Sequence, residues 1–318
     1  MSEFINRPLS RRGFLGGATV AAGLGLTACG GGQQKAAEAP SGKEGGGTIT
    51  AGTAYSTQNY DPSTTSSALA LGVNWQVVEG LSGLNFHDYS TFNELATADP
   101  KKVDDYTFEI TLRDGAKFSD GNEVKADDVV ESFNRSAAKG SVYVPMLSPI
   151  ASVEKKDDKT VTVKTTIANF SLLKERLSIV RVVPASSSQD EMKKQPVGSG
   201  PWMYESISDN TLDLVPNKNY NGATPAKDDK LHYDVLKDPT ARLTAQQDGT
   251  TLAMEMVPAD AVDQLKGAGC TVDAVQGFGV RFAMFNLGKA PWDNVKVRQA
   301  CLYALDTDKM LANAFSGQ

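Results

Sequence analysis

Side chains able to do covalent or metal chemistry are few in this chain of 318 residues, and their spacing does not gather them. His87 and His232 are the two histidines, too far apart in sequence for local spacing to suggest a metal site. No HExxH, GxSxG, Walker A or EF-hand pattern is present. The acid pairs Asp127-Asp128, Asp157-Asp158 and Asp228-Asp229 have the composition for acid–base work, but adjacent residues on a helix or loop point in differing directions. They read as solvated surface. Gly198-Ser199-Gly200 has the small residues of a phosphate cradle without the Lys-Ser/Thr ending of a P-loop, so it reads as a rigid turn. An enzyme is therefore not expected, and no metal or other cofactor is called for.

Binding without chemistry is the class left open, and composition narrows it. The chain is 40% hydrophobic, enough for two domains with sizeable cores. Without the first 28 residues, which carry Arg7, Arg11, Arg12 and Glu3, 29 basic side chains face 37 acidic ones, a net charge of −8. Nucleic acid is excluded as a partner, since phosphate contacts need clustered Lys and Arg. Of the three cysteines, Cys270 and Cys301 either pair in an oxidising compartment or stay as buried free thiols. Cys301 falls on an apolar helical stripe with Val297, Ala300, Ala304 and Leu305.

The elements that must position a binding site are legible in order. Gly47 to Ala54 reads as a strand, and Asn59-Tyr60-Asp61-Pro62 breaks it before a helix from Ala68 to Val78. Phe108, Ile110 and Leu112 alternate with polar residues as a half-buried strand. Asp114-Gly115 and Asp120-Gly121 then turn the chain, because Gly reaches positive φ freely. A helix follows with Asp127 and Asp128 in its first turn and Val129, Val130, Phe133 and Ala137 as its apolar stripe. Further on, Val161 to Thr165 predicts a strand, Asn169 to Ser178 a helix, Ile179 to Pro184 a buried strand, and Thr251 to Val257 another strand. Asp238-Pro239 starts a helix with Pro in its first position, and Val295 to Asp306 is helical.

At LRDGAKFSDGNEVKADDVVESF (112–133) the chain resembles the family 5 extracellular solute-binding proteins, the oligopeptide, dipeptide and nickel receptors of ABC importers. Pro196-Val197-Gly198-Ser199-Gly200-Pro201-Trp202 is similar to the family's VGTGPY crossover, and Ala290-Pro291-Trp292-Asp293-Asn294-Val295-Lys296-Val297-Arg298-Gln299 to its PPFxDVRVRQA segment. Asn217-Lys218-Asn219-Tyr220 and Leu231 to Val235 resemble its strand pair. Two departures show: Lys125 stands where the family has a Thr helix cap, and Gly279 where some members carry a disulfide cysteine.

The resemblance implies an α/β, two-lobed periplasmic-binding-protein-like fold (type II, cluster C). Residues 47–84 with 184–280 would form a first domain, 85–183 a second, and 281–318 the start of a third, most of which is missing. It implies a monomeric, non-enzymatic receptor that takes a peptide or similar small solute to the permease subunits of an ABC importer. A nickel-chelate receptor is the alternative within the family, and a chaperone-like peptide binder the alternative outside it. Family members line their ligand cleft at positions that fall here on Ser66, Ser67, Ala68, Tyr143, Glu255, Met256 and Phe282. The serines equally suit a helix cap, and Tyr143 equally suits core filling. The 318-residue chain by itself is expected to hold its ligand on one side only, and so weakly.

The N-terminus reads as an address. Ser10-Arg11-Arg12-Gly13-Phe14-Leu15 has the form of a twin-arginine signal, and the apolar run to Leu26 is too short and Gly-rich to span a bilayer. Leu26-Thr27-Ala28-Cys29 resembles a lipobox, which implies cleavage after residue 28, a lipid on Cys29 and membrane anchoring through it. Residues 29–46, rich in Gly, Gln, Ala and Ser, would be the flexible tether, holding the receptor on the outer face of the cytoplasmic membrane.

Overall fold

A computed structural model of the protein describes residues 45–274, 279 and 282–315. The segment expected to be an export signal, Cys29 and nearly all of the segment expected to be a tether lie outside the described residues. The chain runs β1 (Thr48–Thr53), α1 (Ala68–Val77), β2 (Ser82–Leu84), β3 (Thr91–Asn93), β4 (Lys101–Lys102), β5 (Thr107–Thr111), α2 (Ala126–Ser136), α3 (Val144–Leu147), β6 (Ile150–Lys155), β7 (Thr160–Thr165) and α4 (Leu173–Leu177). It continues with α5 (Gln189–Lys194), β8 (Trp202–Ile207), β9 (Thr211–Pro216), β10 (Lys230–Val235), α6 (Pro239–Gln247), β11 (Ala253–Met254), α7 (Val262–Gly267), α8 (Val295–Tyr303) and α9 (Thr307–Phe315).

Two sheets organise two apolar cores. One has five strands in the order β11-β1-β10-β9-β8, with β1 parallel to both neighbours and β9 antiparallel to β10 and β8. Period-2 positions Leu212, Leu214, Leu231 and Tyr204 bury against Leu69, Val73 and Val77, which recur every four residues on one face of α1. The other sheet, β4-β5-β7-β6, is antiparallel throughout. Phe108, Ile110, Val153, Val161 and Val163 line its inner face and pack with Val129 and Phe133 of α2. Each such large side chain contributes roughly 1.5–3 kcal/mol on burial. The outer face is charged, with Lys156 paired to Glu109 and Lys164 to Glu154.

The two turns before α2 take the conformation that their sequence requires: Gly115 has φ 69° and Gly121 φ 93°. Lys125 stands at the N-cap and its side chain accepts nothing, as expected for a residue without an acceptor. Asp128 compensates by reaching back, its Oδ2 accepting the Lys125 N–H at 2.8 Å. Its Oδ1 accepts the Ala185 N–H at 2.8 Å, which ties α2 to the returning chain.

Several elements differ from expectation for local reasons. Asn169 adopts φ 53° and its N–H donates to Asp105, so the helix expected from Asn169 is confined to α4. Ile179 to Pro184 is buried but not a sheet strand; it pairs with the outgoing crossover through a Gly80–Arg181 bridge and a Val182 N–H to Glu79 carbonyl bond of 2.8 Å. Asn217 to Tyr220 is a turn held by the Asn217 side chain, beyond the end of β9. The strand expected over Thr251 to Val257 shrinks to β11, because Met256 turns to φ 55°. Cys270 and Cys301 are free and half-buried rather than paired or fully enclosed. Among the described residues, α8 buries no side chain.

Candidate functional site

In open α/β sheets, ligands gather outside the carboxyl ends of parallel strands. β1, β10 and β11 are the parallel strands here, and a cavity of about 300 Å³ opens beside them, under the first turns of α1. Its wall includes Gly52 and Thr53 from β1, Ala68, Gly72 and Gln76 from one face of α1, Tyr233 from β10, and Glu255 just after β11. Ala68, Gly72 and Gln76 recur every four residues, so small side chains on two helical turns leave the space that Gln76 closes.

The polar groups of this wall are fixed. Gln76 Nε2 donates to the Tyr233 hydroxyl at 2.7 Å. Burial pushes that hydroxyl's pKa up; the Gln76 bond pulls it back and the charge of Glu255 pushes it further up. Glu255 Oε1 accepts from the Thr53 hydroxyl and from the Ala54 N–H at 3.2 Å. Behind it lies Arg242, 3% exposed, whose guanidinium donates to the carbonyls of Leu236, Lys237, Glu255 and Met256. A buried Arg with carbonyl partners pins the loops that leave β10 and β11.

The loop from β1 to α1 is knitted around Asp61, which is fully buried. Its carboxylate accepts from the Ser63 N–H and hydroxyl and from the Thr64 hydroxyl, at 2.9, 2.7 and 2.9 Å. Two bonds reach this loop from the segment between α2 and α3: Ser141 Oγ donates to the Ser63 carbonyl at 3.0 Å, and the Tyr143 hydroxyl to the Thr65 carbonyl at 2.8 Å.

Of the residues expected to meet a ligand, Ala68 and Glu255 line one cavity, while Ser66 and Ser67 lead into it and Met256 follows it, 54% exposed. Ser67 occupies the N-cap of α1 without a side-chain cap bond, so capping does not use its hydroxyl. Tyr143 is placed otherwise: it is 7% exposed, belongs to the core, and its hydroxyl is committed to Thr65. Phe282 is 72% exposed and is not part of the cavity wall. Gln76, Tyr233 and Thr53 went unnoticed in the sequence, because their roles come from strand order and helix phase. Arg242 was visible only as part of a helix start.

Residues 92–318 match the family model for bacterial extracellular solute-binding proteins, family 5 Middle. The chain belongs to that family. It is 32% identical to heme-binding protein A of Haemophilus influenzae, over 74% of this chain and 48% of that protein. It is 28% identical to the glutathione-binding protein GsiB of Pectobacterium atrosepticum, over 81% of this chain and 52% of that protein. The chain thus spans about half the length of these relatives. In fold it is similar to the periplasmic binding protein DppA of Helicobacter pylori, solved with the peptide STSA, with a TM-score of 0.72 at 19% identity over 86% of this chain and 59% of that one.

In this family 5 chain the segment from Leu112 to Gly121 lies away from the cavity and joins the two sheets. Arg113 forms a two-pronged pair with Glu79, at 2.9 and 2.8 Å, and also donates to the Glu94 carbonyl and to Asn221 Oδ1. Asn219 and Asn221, in the turn after β9, donate to the carbonyls of Phe118, Ser119 and Asp114. Gly198 and Gly200 let the return crossover lie on the end of α1; a Cβ on Gly198 would stand 2.0 Å from the Val77 carbonyl oxygen. A second ion pair, Arg181 with Glu94 at 2.8 Å, is buried at the same seam, where the guanidinium lies over the Trp75 ring. Burial pushes the Glu79 carboxyl up despite Arg113, and pulls the Arg181 guanidinium down despite Glu94.

Proposed function

We propose that the protein is an extracytoplasmic receptor that captures a peptide-like solute beside α1 and delivers it to an ABC importer. The observation that carries this reading is the convergence of Ala68 and Glu255 on one cavity at the carboxyl ends of parallel strands. Polar groups held in fixed positions around an open, partly apolar space suit a ligand recognised mainly by its backbone. Membership of family 5 supports it, as do relatives named for binding heme and glutathione and a structural neighbour holding a peptide.

In this reading residues 47–84 with 184–280 make the lobe that carries the cavity, 85–183 a domain fastened to it, and 281–318 the opening of a further domain. Solute binding draws that domain toward the cavity, and the closed form is the state that the importer reads. The receptor acts as a monomer. Cys29 carries the lipid, and the tether gives the receptor reach while keeping it concentrated at the membrane. Among the described residues no helix is long and apolar enough to cross a membrane.

Two experiments test the reading. Radioactive fatty acid should label the wild-type protein and not Cys29→Ala; persistent label in the variant refutes the anchor. Titration calorimetry of the full-length protein against peptide and metal-chelate libraries should give peptide binders. Metal-chelate binding with no peptide binding would move the substrate to the nickel-type class, and binding of neither would overturn the receptor role.

A further inference from the structure

We infer that Arg242 is a positioning residue for solute binding: without touching the solute, its buried guanidinium fixes the two loops that leave the outer parallel strands of the cavity, β10 and β11. The inference rests on the solute-receptor reading above and deepens it.

The guanidinium divides its donors between the two loops. Nη1 donates to the Leu236 and Lys237 carbonyls at 2.6 and 3.2 Å, just beyond β10. Nε and Nη2 donate to the Glu255 and Met256 carbonyls at 3.2 and 3.1 Å, just beyond β11. Between them lies β1, which is tied to each loop in turn: the Leu236 N–H donates to the Thr53 carbonyl at 2.8 Å, and the Glu255 N–H to the Gly52 carbonyl at 3.3 Å. The stem of Arg242 runs against the same strand, where a Cβ on Gly52 would stand 3.4 Å from Arg242 Cγ. Thr53 and Glu255 line the cavity, whereas Arg242 does not, so it acts through them.

Packing alone does not account for this residue. A buried cation is costly unless it is paired, and among the described residues Arg242 belongs to no ion pair. An apolar side chain of similar length would fill the space without that cost; what the guanidinium adds is its fork. One planar group with fixed donor directions reaches carbonyls on two separate segments, which the point charge of a Lys ammonium does not reproduce. The loops need such a restraint. β11 has only two residues, and Met256, two positions beyond it, is held at φ 55°, a sparsely populated region for a residue with a Cβ. Backbone strain of this kind persists only where the surroundings over-determine it, and it collects at ligand sites. Released from Arg242, Met256 relaxes, and Glu255, whose Oε1 accepts the Thr53 hydroxyl and the Ala54 N–H, loses its fixed place. Solute then has to order the loops itself, so affinity falls although no contact to it has been deleted.

The test titrates the full-length protein with the tightest binder of a di- to tetrapeptide library, in wild type, Arg242→Lys and Arg242→Ala, well below each melting transition so that every sample is folded. Lys keeps the charge and the stem and loses the fork. Both variants should bind about tenfold or more weakly, and in the free proteins amide exchange should quicken in residues 236–237 and 253–257. Millimolar propylguanidinium, which returns the missing group to Arg242→Ala, should restore affinity and slow that exchange. If Arg242→Ala does not fold, the Lys variant and its exchange decide. Wild-type affinity in Arg242→Lys overturns the inference, as does lost affinity with unchanged exchange in both segments. Propylguanidinium that raises the melting of Arg242→Ala with no gain in affinity overturns it too. All three leave the receptor reading standing; a wild-type protein that binds no member of the library overturns that reading instead.

Discussion

Removing Arg113 is the perturbation that separates a seam built from buried charge from one built by ordinary packing. Arg113→Met keeps most of the aliphatic stem and deletes the pair with Glu79, whose side chain is 6% exposed against 15% for Arg113. It also strips donors from the Glu94 carbonyl and Asn221, and the cation from the Tyr220 ring 5.7 Å away. A carboxylate left alone in such a site costs about 3–5 kcal/mol. Urea unfolding at neutral pH should show a loss of that size, and Glu79→Gln in the same chain should restore part of it by removing the stranded charge. Because burial already pushes the Glu79 carboxyl up, protonation relieves the penalty in the single variant, so its deficit should shrink as pH falls. A loss below about 1 kcal/mol, or one independent of pH, refutes the argument that buried charge fastens the sheets.

Three other perturbations probe different parts of the fold. Gly198→Ala should destabilise by about 1–3 kcal/mol or more in urea unfolding, since the new Cβ meets Val77 backbone rather than a movable side chain; a change below about 0.5 kcal/mol contradicts that geometry. Tyr143→Phe should cost about 1–2 kcal/mol by leaving the Thr65 carbonyl without its buried donor, and should raise proteolysis or amide exchange in residues 61–67; an unchanged loop would show that the bond does not hold it. Burial pulls the His232 imidazolium down, but bonds to Asp213 at 2.6 Å and Asp234 at 3.2 Å outweigh it and leave its pKa raised. That stabilisation is complete below about pH 6.5 and is lost as pH rises through the raised folded value. Melting of wild type and His232→Asn should therefore converge toward alkaline pH, and a constant gap across the range would refute the assignment.

What could be read from residues alone followed the reach of each signal. Alternation at Phe108 and Ile110 and the glycines at 115 and 121 act locally, and the structure has the strand and both turns where the pattern puts them. Failures came where tertiary partners decide. Ile179 to Pro184 is as apolar as a strand, yet it lies at a crossover where its one bridge partner is Gly80. Asn169 tolerates positive φ, so a helical apolar period loses its first turn there. At the cavity, Ala68 and Glu255 were legible through family resemblance, whereas Gln76 and Tyr233 meet only because the fold brings α1 and β10 to one wall. Tyr143 lies in the core with its hydroxyl on the Thr65 carbonyl, the placement that its residue type allowed beside a ligand contact.

The central claim is that solute is held against the carboxyl ends of β1 and β11 and the first turns of α1. Amide hydrogen exchange on the full-length protein, with and without a saturating peptide found by calorimetry, tests it most directly. Protection gained on binding should concentrate in residues 51–54, 66–76 and 253–256. Protection confined instead to the separate polar groove around Ser63, Lys139 and Ser188, with those three segments unchanged, would contradict the account.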